Sequence, residues 1–118
     1  MAVLVDTSIW IDHFRKQNSK LISLLEQNLV LIHTAILGEI ACGQMKRRTE
    51  VLEYLKYLPR CQEAMPQEVL EMVEHRSLYG KGLNWIDVNL LASTALSNAK
   101  LWTKDKKLAE FCSIILVQ

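Results

Sequence analysis

Four acidic side chains stand where a carboxylate needs a reason to be. Asp6 follows the apolar run AVLV (residues 2–5), and Asp105 follows KLWTK (100–104), each at a place where a strand gives way to a helix. In an open parallel sheet, ligands bind at that edge, outside the carboxyl ends of the strands. Glu39 is the one charge in AILGEIACG (35–43). Asp87 has Leu90, Leu91 and Thr94 at i+3, i+4 and i+7, which puts it on the apolar stripe of its helix. Taken singly, each has an ordinary reading: Asp6 and Asp105 as helix caps, Asp87 as a first-turn acid favoured by the helix dipole, Glu39 as a side chain turned to solvent. Taken together, four carboxylates converge only if hard divalent cations offset their repulsion. Mg²⁺ or Mn²⁺ suits oxygen donors, and two such ions about 4 Å apart activate water and stabilise charge on a phosphorane-like transition state. Metal-dependent phosphodiester hydrolysis is the chemistry that follows. Spacing alone leaves open whether the four acids meet.

The elements that must position them alternate between strand and helix. Strands are predicted at residues 2–5, 29–33 (LVLIH) and 100–103 (KLWT), with a weak one at 61–65 and an apolar C-terminal one at 113–117. Asp6-Thr7-Ser8 opens a short helix, Asn18 caps the next, and Thr34 caps AILGEIACG. A further helix, from about 49 to 58, carries Val51, Leu52, Leu55 and Leu58 on one face and is stopped by Pro59. Pro66 opens another, ended by Gly80 and Gly82; Asn84 caps residues 85–99, and Asp105 opens the last. This pattern predicts an α/β protein: a three-layer α/β/α fold with a central, mainly parallel sheet of about five strands, as one domain over 1–118.

Composition narrows the function classes. In 118 residues, half of them hydrophobic, 14 Lys and Arg face 13 Asp and Glu, a net charge of +1. A polybasic tail and a highly charged disordered chain are excluded as the main theme, so any nucleic-acid contact is local. Cys42, Cys61 and Cys112 show neither a C-x-x-C pair nor zinc spacing, which points to a reducing compartment and small buried thiols. Residues 2–5 are too short for the core of a signal peptide, and the uncharged stretch 88–99 is too short and too polar to span a membrane. A cytoplasmic protein without a membrane partner is expected.

The sequence resembles the PIN-domain ribonucleases, and among them the VapC-type toxins of type II toxin–antitoxin systems, over nearly its whole length. VDTSIWIDHF (5–14) is similar to the family's opening strand, acid and Thr/Ser pair. HTAILGEIACG (33–43), DVNLLASTAL (87–96) and TKDKKL (103–108) resemble its second, third and fourth motifs. The resemblance implies that Asp6, Glu39, Asp87 and Asp105 form an acidic site binding Mg²⁺ or Mn²⁺ for endoribonucleolytic cleavage. Asp6 and Asp87 are then the principal metal ligands, with Asp105 completing the set directly or through water. Glu39 holds or orients a metal-bound water, and Thr7 and Thr103 position the acids or the water. It further implies a structured RNA substrate such as tRNA or rRNA, a homodimer, and a VapB-like antitoxin whose basic side chain enters the acidic pocket. Leu108 departs from the family, standing where many relatives have Phe.

Basic residues Lys46, Arg47 and Arg48, and Lys104, Lys106 and Lys107 around Asp105, are candidates to hold RNA phosphates or to form a solvated face. Trp85, beside Asp87 in a Gly-containing stretch, is the best candidate for base stacking; Trp10 and Trp102 read as core or interface anchors. His13, His33 and His75 form no metal motif and read as structural or surface residues. The competing class is a non-catalytic PIN-like module that binds RNA or protein, against which stands the gathering of negative charge for a polyanion. A phosphoacceptor receiver domain shares the α/β alternation, but its adjacent acidic pair is missing, since Thr7 follows Asp6. If the acids are clustered, removing Asp6 or Asp87 is expected to relieve repulsion in the metal-free protein.

Overall fold

The computed structural model describes the backbone of residues 1–117 and the side chains of residues 1–112. The elements run β1 (Val3–Val5), α1 (Thr7–Arg15), α2 (Ser19–Glu26), β2 (Val30–Leu31), α3 (Thr34–Cys42), α4 (Arg48–Lys56), α5 (Pro66–His75), α6 (Trp85–Leu96), β3 (Lys100–Trp102) and α7 (Lys106–Val117). The sheet has the order β2-β1-β3, and both pairings are parallel. The first strand is therefore central, with Leu4 and Val5 fully buried. An uninterrupted apolar run is what a strand covered on both faces requires.

The helices divide between two apolar cores. Ile9, Trp10, Leu21, Ile36, Ile40, Leu52 and Leu55 from α1 to α4 pack with Leu4, Val5 and Val30 in one. Val69, Val88, Leu91, Ala92, Leu108 and Cys112 from α5, α6 and α7 form the other. Leu101 of β3 packs against both, and α6 gives Leu90 to the first and Leu91 to the second. Among the described residues no helix is long and apolar enough to cross a membrane.

The α/β class holds, and the strand count falls. The expected third strand at 61–65 reduces to one bridge, Ile32 with Arg60, in which Ile32 N–H donates to Pro59 and Cys61 N–H to Ile32. Beyond it the ladder stops because its donors go elsewhere. Gln62 N–H bonds the Ser97 hydroxyl at 2.8 Å and Ala64 N–H the Ser93 hydroxyl at 2.9 Å, so the segment is tied to α6 instead of β2. The expected fifth strand at 113–117 is helical backbone, the last turns of α7. A short apolar run fits either state by periodicity alone. Cys42 also departs from expectation, being exposed, while Cys61 and Cys112 are buried free thiols.

Three helices end in the same way without a glycine. After α2, α5 and α6 the chain passes through Asn28, Ser77 and Asn98, all at positive φ near 50–58°. In each, the next residue bonds back five positions: Leu29 to Leu24, Leu78 to Val73, Ala99 to Thr94. This closure satisfies orphaned carbonyls and turns the chain at a fixed angle. Two of the three turns launch β2 and β3, so they set the entry of both outer strands. The α5 helix thus ends at His75, ahead of the expected stop at Gly80. Left-handed backbone costs an L-residue about 1–2 kcal/mol, which glycine does not pay. We expect Ser77→Gly to raise stability by up to about 1 kcal/mol, read as a higher urea midpoint with an unchanged slope.

Candidate active site

The central strand ends at Val5, and the next residue carries the first acid. Asp6 backbone N–H donates to the Trp102 carbonyl at 2.9 Å, which zips the ends of β1 and β3 together. The chain runs from β1 to β2 on one side and returns with β3 on the other, so this is the point where strand order reverses. Crevices form there. Asp6 is also the N-cap of α1: its Oδ1 accepts from Thr7 N–H at 2.8 Å, and its Oδ2 accepts from the Ser8 hydroxyl at 3.2 Å and the Thr103 hydroxyl at 2.7 Å.

Two threonines extend the site from Asp6. Thr7 Oγ1 donates to Glu39 Oε1 at 2.7 Å, bringing in α3 from 32 residues away. Thr103 Oγ1 accepts from Asp105 N–H at 3.1 Å, and Asp105 Oδ1 in turn accepts from Lys107 and Leu108 N–H at 3.0 and 3.2 Å to open α7. Glu39, Thr7, Asp6, Thr103 and Asp105 are thus one hydrogen-bonded chain along the carboxyl edge of the sheet. Asp6 is part-buried, while Glu39 and Asp105 are exposed.

Asp87 is anchored separately from that chain. Its Oδ2 accepts from Asn84 N–H at 3.0 Å while Asn84 Oδ1 accepts from Asp87 N–H at 2.8 Å, a reciprocal cap that fixes the first turn of α6. Gly82, at φ +82°, lies against Lys107, whose Nζ would be 2.5 Å from any added Cβ. The loop before α6 therefore touches the far end of the Lys107 side chain, which starts in the first turn of α7. Among the described residues, Asp87 makes no hydrogen bond to the other three acids, and no three His, Cys, Asp or Glu side chains stand close enough together to hold a cation as they are.

The donor chemistry nevertheless suits a hard cation. Among the described residues, no hydrogen bond is made to Glu39 Oε2, Asp87 Oδ1 or Asp105 Oδ2, so each of these three acids is held by one oxygen and presents the other, while both oxygens of Asp6 are engaged. Carboxylate oxygens without nitrogen or sulfur are what Mg²⁺ and Mn²⁺ take. The expected relief of repulsion on removing Asp6 or Asp87 meets a counter-term in this geometry, because both are helix caps.

The basic candidates separate. Arg48 donates to the Ala41 carbonyl at 2.7 and 3.1 Å, finishing α3; Arg47 pairs with Glu50 at 2.8 Å; Lys104 Nζ pairs with Asp12. Lys46 and Arg47 line a cavity of about 730 Å³ beside Phe14 and Gln17, at the far end of α1 from Asp6. Lys106 is exposed at the first position of α7, and among the described residues it makes no ion pair. Trp85, about half exposed, is the first residue of α6, two before Asp87. Trp10 is buried and stacks on Phe14, while Trp102 is half-buried with Lys20 Nζ 5.0 Å from its ring centre.

Two side chains beyond the site candidates organise the neighbouring helix starts. Ser8 bonds Asp6 and also accepts from Lys104 N–H at 3.2 Å, a second clasp between β1 and β3 whose only local mark is a hydroxyl two residues after an acid. The other is buried His33. It takes the N-cap position expected of Thr34, its Nδ1 accepting from Ala35 N–H at 2.9 Å. Thr34 instead gives its hydroxyl to Glu63 at 2.7 Å.

The family model described as PIN domain matches residues 3–113. The chain is 41% identical over 112 residues to proteins named Ribonuclease VapC32 from Mycobacterium tuberculosis, strains CDC 1551 / Oshkosh and H37Rv, covering 94% of this chain and 90% of each relative.

Two substitutions separate capping from charge. We expect Asp6→Ala to cost about 0.5–2 kcal/mol as a lost cap, and Asp6→Asn, which keeps an acceptor oxygen, to cost markedly less in the metal-free protein. Thr103→Val, which cuts the bonds to Asp6 and Asp105 together, should cost about 1 kcal/mol. Urea denaturation in the presence of a chelator measures all three.

Proposed function

Because the chain belongs to the PIN-domain family, as a VapC-type member of it, we propose that it is the toxin of a type II toxin–antitoxin system: a Mg²⁺- or Mn²⁺-dependent endoribonuclease acting at the acidic edge described above. The observation that carries this reading is the hydrogen-bonded chain from Glu39 through Thr7, Asp6 and Thr103 to Asp105. Hydroxyls that orient carboxylates, leaving oxygens turned outward, serve a ligand; a surface for a polyanion alone has no use for them.

Asp6 and Asp87 are the principal ligands in this reading, with Asp105 beside them. A cation held there would neutralise charge on the scissile phosphate and lower the pKa of a water. Glu39 Oε2 orients that water and takes its proton. The water oxygen bonds to phosphorus as the P–O3′ bond breaks, and the 3′ oxygen takes up a proton from solvent. The products are a 5′-phosphate and a 3′-hydroxyl, because the 2′-hydroxyl has no part in the attack. Thr7 and Thr103 hold Glu39, Asp6 and Asp105 at fixed separations throughout. Lys106 and Trp85 take the RNA contacts, by charge and by stacking; Arg47, Arg48 and Lys104 are committed to protein partners.

The proposed partners are a structured RNA such as tRNA or rRNA, a VapB-like antitoxin and a second copy of the chain, in the cytoplasm. The experiment is incubation with total cellular RNA in Mg²⁺ or Mn²⁺, with 5′ ends mapped and chelator, Asp6→Asn and Asp87→Asn as controls. We expect discrete cuts bearing 5′-phosphates, reduced in both variants to the level of the chelated sample. Ends carrying 2′,3′-cyclic phosphate would overturn the mechanism, and undiminished cutting by the variants would overturn the site.

A further inference from the structure

A buried polar network lies at the opposite end of α3 from its last turn, and the proposed reaction makes no use of it. His33 is 5% exposed and sits between β2 and α3. Its Nδ1 accepts from Ala35 N–H, so that nitrogen carries no proton, and the proton of the neutral ring lies on Nε2. Nε2 is 3.2 Å from the hydroxyl oxygen of Ser93, which is wholly buried in the middle of α6. The same oxygen accepts from Ala64 N–H at 2.9 Å. One imidazole therefore ties the start of α3 to α6 and, through Ser93, to the segment that leads into α5.

Around the ring stand few charges. The 60–64 segment brings Glu63, whose Oε1 is 3.9 Å from Nε2, and Arg60, which is 3.5 Å from the other Glu63 oxygen. Glu63 Oε2 also accepts from Thr34 N–H at 3.0 Å, a second cap on α3. Cys61 on the same segment is a buried thiol pushed up to about 11, and so stays neutral. From α6 the group facing the ring is the Ser93 hydroxyl.

Two carboxylates of the proposed site ride on the helices so joined: Glu39 on α3 and Asp87 on α6. Ile36 and Ile40 are fully buried and fix which face of α3 turns inward. Apolar contact is non-directional, however, and leaves sliding along the helix axis weakly opposed. Directional bonds at the first turn set that position, and Glu39 must meet the Thr7 hydroxyl at 2.7 Å. We propose that His33 is a positioning residue for Glu39: its neutral ring, capping α3 and bonded to Ser93, holds the helix where the Glu39 carboxylate meets Thr7. The inference rests on the reading of Glu39 as a site residue. Adding a proton places a donor on Nδ1 against the Ala35 N–H, so protonation breaks this cap and leaves the start of α3 to the Glu63 bonds with Thr34.

The pH dependence has a definite sign. Burial pushes the His33 ring below its ordinary value of 6.5, with Glu63 opposing and Arg60 reinforcing the shift. A depressed folded-state value means that the neutral ring's contribution is present above about pH 6.5 and lost as pH falls through the folded value. For Glu63, burial is outweighed by the Thr34 bonds, His33 and Arg60, which hold it below 4.5, so its contribution begins to be lost only below about pH 4.5, whereas that of His33 begins to be lost below 6.5.

The test reads Glu39 directly in the metal-free full-length protein, through its side-chain carboxyl ¹³C resonance, assigned with Glu39→Gln. In the wild type we expect that resonance to shift in step with the His33 ring signals as pH falls below 6.5. His33→Asn keeps a capping oxygen but is too short for Ser93, and should displace the resonance at neutral pH and abolish the titration step. Ser93→Ala keeps the ring and should displace it likewise. With total cellular RNA as substrate, both variants should lose about tenfold in kcat with KM unchanged. A Glu39 resonance indifferent to His33 ionisation and to both substitutions would overturn the proposal. Absence of cleavage by every protein, with the resonance coupling intact, would fault the nuclease reading and leave the positioning role standing.

Discussion

The bond from Thr103 to Asp6, 2.7 Å across 97 residues of sequence, is the constraint on which the site depends. It forms at the end of the central strand, where backbone pairing has already brought Asp6 N–H to the Trp102 carbonyl. Parallel strands end at the same edge, so a side chain just past β1 and one just past β3 are neighbours by topology. The hydroxyl then fixes a carboxylate that adjacency alone would leave free to rotate. From that one acid the geometry spreads through Thr7 to α3 and through Thr103 to α7.

Capping and site formation are the same act here. Asp6 caps α1, Asp105 caps α7, and Asp87 sits in the reciprocal cap of α6. Helix N-termini carry unpaired N–H groups, so each acid finds donors at the helix start where it stands. Asp6 and Asp105 are in this way held along one edge by bonds that the fold itself supplies. Glu39 is the exception, since it lies in the body of α3, and its support is a single hydroxyl.

What was legible in the sequence followed the range of the interaction. Asp6, Asp87 and Asp105 as helix-opening acids are local patterns, and so are the apolar runs of β1 and β3. The Thr7–Glu39 and Thr103–Asp6 bonds span 32 and 97 residues, and no spacing encodes them. The weak third strand failed for a reason of the same kind: Ser93 in α6 and Ser97 just after it captured its amides, and such serines carry no mark of what they will bind. At 33–34 two side chains competed for one cap. His33 took it because Glu63, arriving from another segment, claimed the Thr34 hydroxyl. The basic run at 46–48 was readable as charge, but its face was not: Arg48 bends back to close α3, and Lys46 and Arg47 lie over the far end of α1.

A division of labour between apolar and polar contacts runs through the molecule. The two cores hold seven helices against three short strands, and they tolerate small displacements because dispersion and burial change gradually with distance. The acids need finer placement, which comes from hydrogen bonds that weaken steeply with length and angle. Those bonds sit at the ends of helices, where the backbone has donors to give, and near the surface, where their net worth in stability is about 1 kcal/mol each. Changes in the cores therefore fall first on stability, and changes at the caps fall first on the spacing of the carboxylates. A small α/β domain can in this way keep its fold through wide sequence change while the placement of its acidic edge hangs on a handful of threonines, serines and one buried histidine.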